Sequence, residues 1–168
     1  MYFEDQDYPR AEQQLLKAIH LNPKYAEAYN LLGNLYYRLF YQAEVFDKDR
    51  QAAEKYWKRA YNCYQEVRKL KPDFPDPCIG LALLYIDIEE FDKAINLLMK
   101  ARQSRPDDPW LEAVVHYHLG RCYNAKRQYP EALKEFNAYL RLSPEGPEAD
   151  AVRMALRLIE RKLKKSPE

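Results

Sequence analysis

Apolar residues recur with helical period along most of this chain, and the stretch from Phe74 to Pro106 shows the pattern most plainly. Ile79, Leu81, Ala82, Leu84 and Tyr85 form one stripe; Ala94, Leu97, Leu98 and Ala101 form a second. A polar turn, Asp87 to Asp92, separates them, and a proline-containing segment bounds each end. Two helices joined by so short a turn are expected to pack antiparallel, since neither can bury its stripe alone.

The same unit recurs along the sequence. Its anchors are a tyrosine near the end of the first helix, an alanine in the second, and a closing proline. They stand at Tyr85, Ala94, Pro106; at Tyr2, Ala11, Pro23; at Tyr36, Ala60, Pro72; and at Tyr123, Ala132, Pro144. Alanine precedes proline by 12 residues in all four copies. Tyrosine precedes alanine by 9 residues in three copies and by 24 in the other. Leu32-Gly33-x2-Tyr36, Leu81-Ala82-x2-Tyr85 and Leu119-Gly120-x2-Tyr123 belong to first helices. Ala11-x3-Leu15, Ala60-x3-Tyr64, Ala94-x3-Leu98 and Ala132-x3-Phe136 belong to second helices. This resembles the tetratricopeptide repeat (TPR), with W-x2-L-G-x2-Y, A-x3-F and P recurring about every 34 residues. The opening large residue is Tyr29, Cys78 or His116 rather than Trp. The resemblance implies an all-α right-handed superhelix built from helix-turn-helix units.

Each anchor has a mechanical reason. Gly33, Ala82 and Gly120 are small, so two helix backbones can approach closely. The closing prolines lack an N–H and stop helices. Pro77, Pro109 and Pro147 suit first helical turns, with Asp76 and Asp108 as expected N-caps.

Read in order, the chain is expected to be a single domain. Residues 1–23 form a truncated repeat, with Met1 to Glu4 as the end of a first helix and Tyr8 to Leu21 as the second. Residues 24–72 hold a repeat with 15 extra residues between Tyr36 and Ala60. That insertion lacks Gly and Pro and keeps helical spacing on both sides of Asp47-Lys48-Asp49. It predicts two helices each prolonged by about two turns, a hairpin projecting beyond its neighbours. Residues 73–106 are a standard repeat, and 107–144 a repeat whose first helix starts one turn early. Residues 147–165 read as an amphipathic capping helix with Ala151, Met154, Ala155, Leu156, Ile159 and Leu163 as its apolar residues. About nine helices are expected, counting the stub at the start.

Composition narrows the function. Charged residues make up 32% of the 168, with 27 basic against 26 acidic, so no global charge draws the chain to nucleic acid or membrane. No apolar run is long enough to insert in a bilayer. Cys63, Cys78 and Cys122 are odd in number and sit in predicted helices, as free packed thiols would. No nucleotide-binding loop, metalloprotease helix or nucleophile elbow occurs. His116 and His118 with Cys122 supply too few ligands for a metal site, and no cofactor is expected. The expectation is a protein without enzymatic activity.

The functional surface follows from the resemblance, which implies that first helices line a concave groove. Its stripes are Asn30, Asn34, Tyr37 and Arg38; Ile79, Leu83 and Ile86; and Tyr117, Arg121 and Asn124. Asn amides can pair with a peptide backbone and Arg121 with a carboxylate, so a peptide or helix of another protein is the expected partner. The chaperone-binding carboxylate clamp of the superfamily is not expected, because only Asn34 fits its pattern. The alternative is an assembly or biogenesis factor acting through the long hairpin, with Phe40, Tyr41 and Phe46 as contact surface, or through self-association. The open stripe Ala11, Leu15, Ala18 predicts either a longer native protein or a homodimer through the N-terminal helix. The first ten residues lack the pattern of a signal peptide, which favours the cytoplasm. The bacterial periplasm or an organelle stays open if an upstream segment has been removed.

Overall fold

The computed structural model describes residues 7–105 and 107–165. Eight α-helices and one π-helical turn follow one another, and no strand occurs among the described residues. The expected helical stub at Met1 to Glu4 lies outside these residues. The helices gather into two compact units that divide within the fourth helix, at Leu84 and Tyr85.

The first unit contains α1 (Tyr8–Leu21), α2 (Ala26–Tyr41), the π-helical turn (Gln42–Asp47), α3 (Arg50–Leu70) and the start of α4 (Asp76–Asp87). Asp7 caps α1 by accepting from the Arg10 N–H at 3.1 Å, and Pro9 occupies the first turn. Asn22 closes α1 with its N–H on the Ala18 carbonyl. The helical hairpin α2–α3 forms the core of the unit. Leu32, Leu35, Tyr36, Phe40 and Ala43 from one side, and Ala53, Ala60, Cys63, Tyr64 and Val67 from the other, are buried. Glu12 links three helices: its Oε1 accepts from the Tyr36 hydroxyl at 2.7 Å and from Arg59 Nη1 at 2.9 Å.

The 15-residue insertion folds as the spacing predicts, as an elongation of both helices. Helix α3 has 21 residues against 14 in α5 and α7, about two further turns. Helix α2 is prolonged by the π-helical turn, a wider winding that periodicity did not foretell. The chain reverses at Lys48, in the left-handed region with φ 53°. Asp49 then caps α3 by accepting from the N–H groups of Gln51 and Ala52.

The second unit contains the end of α4, then α5 (Phe91–Ser104), α6 (Pro109–Ala125), α7 (Tyr129–Leu142) and α8 (Ala149–Lys165). Its core gathers Ala113, Ala132, Phe136, Tyr139, Ala149, Val152 and Ile159. Gly120 admits the Phe136 ring, since a Cβ there would lie 2.5 Å from it. Asp108 caps α6 through the Leu111 N–H at 3.1 Å, as expected, and α6 has 17 residues. Asp76, the other expected cap, instead stands as the first residue of α4. The α4–α5 and α6–α7 turns repeat one geometry. Glu89 and Arg127, each four residues beyond a repeat tyrosine, are left-handed, and the next N–H bonds back to the carbonyl of Tyr85 or Tyr123.

Helix α8 begins at Ala149, two residues after the expected Pro147. The turn before it is held by Tyr139, whose hydroxyl donates to Glu148 Oε2 and accepts from the Glu148 N–H. The buried face of α8 is Ala149, Val152 and Ile159, not the full stripe read from the sequence: Ala151, Met154 and Leu163 are exposed. A 3.6-residue period allows either face, and the position of α7 selects one.

Candidate protein-binding faces

In the first unit the face of α2 is built around a ring from α3. Tyr64 is buried between Gly33 of α2 and Gly80 of α4. A Cβ on Gly33 would stand 2.7 Å from the ring, and one on Gly80 2.4 Å. Through this gap the Tyr64 hydroxyl reaches Asn34 and donates to its Oδ1 at 2.8 Å. Burial pushes the Tyr64 phenol well above its ordinary value, so it stays a donor. Asn34 is exposed, and with Oδ1 engaged its Nδ2 is left as a donor. Gly80 was missed in the sequence because it lies outside the Leu-Gly-x2-Tyr signature. A third glycine among only four, two residues after the large position Cys78, was the available signal.

Asn30 differs from expectation. It is 8% exposed, its Nδ2 donates to Asp76 Oδ2 at 3.4 Å, and its Oδ1 has no partner. Its side chain is thus buried rather than open to a partner as expected. Ile79 and Leu83 are half-buried. Tyr37 and Arg38 line a cleft of about 530 Å³ with Tyr8, Tyr41, Gln42 and Phe46, whose walls are largely apolar.

The hairpin rings divide. Phe40 is buried, which removes it from the expected contact surface; four residues after Tyr36, it falls on the seam that faces α3. Tyr41 and Phe46 are 47% and 72% exposed and meet edge to face with centroids 6.1 Å apart.

In the second unit Ile86 is buried, so it does not offer the apolar contact expected of it. Tyr117, Arg121 and Asn124 on α6 are half-buried. The Arg121 guanidinium lies 5.8 Å from the centre of the Tyr117 ring and donates to His118 Nδ1 at 3.4 Å. Burial, assisted by Arg121, pushes His118 down to about 3, which keeps the ring neutral and able to accept. His116, read from the sequence as a packing residue, sits between two carboxylates. Its Nδ1 is 2.5 Å from Glu135 Oε2 and its Nε2 3.3 Å from Glu112 Oε2. The i, i+4 spacing of Glu112 and His116 carried part of that signal. Among the described residues no cluster of three metal-ligating side chains forms, and no helix is long and apolar enough to cross a membrane.

Comparison with known proteins agrees with this architecture. A TPR repeat model matches residues 1–39 and a tetratricopeptide repeat model matches residues 51–113, together more than half of the chain. The chain belongs to the tetratricopeptide repeat superfamily, whose fold is generally a non-enzymatic scaffold for protein–protein interaction.

Among solved structures, a thermophilic TPR protein of Thermus thermophilus superposes with a TM-score of 0.71 at 22% identity, covering 87% of this chain and 71% of that one. MamA does so at 0.63 and 17%, covering 95% and 90%. These likenesses show the fold. By sequence, the chain is 36% identical over 62 residues to the mouse "Interferon-induced protein with tetratricopeptide repeats 2", covering 37% of this chain and 12% of the relative. It is 26% identical over 106 residues to "Tetratricopeptide repeat protein 1" of Schizosaccharomyces pombe, covering 62% and 10%. The chain thus spans roughly a tenth of the length of these curated relatives.

Proposed function

We propose that this domain, read as one stack of repeats over residues 1–168, holds a peptide or helix of a partner protein on the inner faces of its first helices. The observation that carries this reading is Asn34. Its amide is exposed yet locked by the buried Tyr64 hydroxyl, so its donor is oriented for a backbone carbonyl before any partner arrives. Tyr37 and Arg38 extend that face in the first unit. In the second, Tyr117, Arg121 and Asn124 supply an aromatic surface and a cation for an acidic group. A photo-crosslinking residue placed at Asn34 should capture a partner protein from source-cell extract, and Arg121→Ala should weaken the purified complex. Capture only from a probe at Phe46, with Asn34 silent, would overturn the reading.

A second reading rests on the exposed Tyr41, Val45 and Phe46 of the hairpin and on α1, where no residue is fully buried and Leu16 and Leu21 are exposed. Those surfaces suit an assembly part that acts through the hairpin or forms a homodimer through α1. Under this reading Tyr41→Ala with Phe46→Ala would abolish assembly through the hairpin and leave capture by the Asn34 probe unchanged.

A further inference from the structure

We propose that the outer face of α8 is a docking seam for an acidic amphipathic helix of another protein. Independently of the groove, three observations in the second unit lead there. First, α8 buries only Ala149, Val152 and Ile159 and leaves a second apolar line, Ala151, Met154 and Leu158, in solvent; Met154 is 61% exposed. The i, i+3, i+7 spacing is that of a helix–helix seam, one residue wide and continued by Arg161. A helix whose only task was to solvate the end of a stack would carry polar residues on this line.

Second, cations border the seam. Helix α8 has six basic residues against two acidic ones, in a chain whose overall balance is nearly even. Arg153 is taken up by Asp150, Glu145 and the Pro144 carbonyl, and Lys162 lies over the Tyr129 ring. Arg157, on the flank of the seam, and Arg161, at its end, are exposed and form no ion pair among the described residues. Flanking charges of this kind select the partner, and here they select carboxylates.

Third, the shape excludes the obvious competitors. Helices that lie on membranes present a broad apolar face, commonly with Trp or Phe, whereas this line is narrow and holds no aromatic residue. A second copy could offer its hairpin tip, where Val45 and Phe46 stand beside Glu44 and Asp47. That π-helical turn has six residues, with Lys48 and Arg50 just beyond it, too short and too mixed in charge for a seam of about three turns.

The test titrates the intact chain into a fluorescent peptide of about three heptads, with Leu at the seam positions and Glu on the flanks. The control peptide keeps Leu and replaces each Glu by Lys. The acidic peptide should bind about tenfold more tightly than the basic one. Leu158→Glu should abolish binding, and Arg157→Glu with Arg161→Glu should reverse the preference. All three positions are exposed, and unchanged circular dichroism will confirm intact variants. Equal affinity for the two peptides, or none for either, overturns the proposal. So does binding to phosphatidylserine vesicles in place of peptide, or self-association that Leu158→Glu dissolves, which would assign the face to lipid or to a second copy.

Discussion

The Tyr64 hydroxyl donates to Asn34 across the gap between Gly33 and Gly80, so one buried ring joins the packing of the first unit to its candidate binding face. Gly80→Ala should destabilise the unit by about 1–3 kcal/mol, because the new methyl would meet the ring. Tyr64→Phe should cost about 1 kcal/mol for the hydrogen bond and leave the packing intact. Urea melts of the single variants, and of Gly80→Ala combined with Tyr64→Leu, will check this. The smaller side chain should recover part of the loss, a non-additivity that separates steric contact from a general helix effect.

Glu89 and Arg127 hold left-handed backbone in two equivalent turns, at φ 62° and 59°. A residue with a Cβ gives up roughly 1–2 kcal/mol in that conformation. Glycine relieves this strain but loosens the unfolded chain. Arg127→Gly should therefore stabilise the second unit by a net amount of up to about 1 kcal/mol. A rise in the urea midpoint at unchanged slope is the expected result.

His118 provides a pH dependence of defined sign. Its folded value, about 3, lies below its ordinary 6.5, so the unfolded chain takes up the proton first. The stability that depends on a neutral His118 is complete above pH 6.5 and is lost as pH falls toward about 3. The loss is at most about 1.4 kcal/mol per pH unit in that window. Thermal melts at pH 7 and 5 should show a smaller difference for His118→Gln than for the parent protein.

Cys63, Cys78 and Cys122 are buried, and burial pushes Cys63 up to about 12 and Cys122 up to about 11. The reactive thiolate is thus scarce at neutral pH. A disulfide-exchange colour reagent should label the native chain slowly and all three cysteines at once in denaturant. Rapid labelling of Cys122 in native buffer would show that α6 opens locally.

The helical elements of this chain are local in origin. Apolar period, Asp108 before Pro109, and an insertion without Gly or Pro favour helices from local sequence, which is why α1, α3 and the long hairpin could be read from residues alone. Accessibility is not local. Asn30, Phe40 and Ile86 occupy stripes that the period allows to face a groove or to form a contact surface, yet each is buried. Met154 could have been buried and is exposed. A side chain's angle on its helix follows from its number, but which angles are covered depends on where neighbouring helices lie. Tyr64 could enter between α2 and α4 only because Gly33 and Gly80, 47 residues apart in sequence, come to face the same ring.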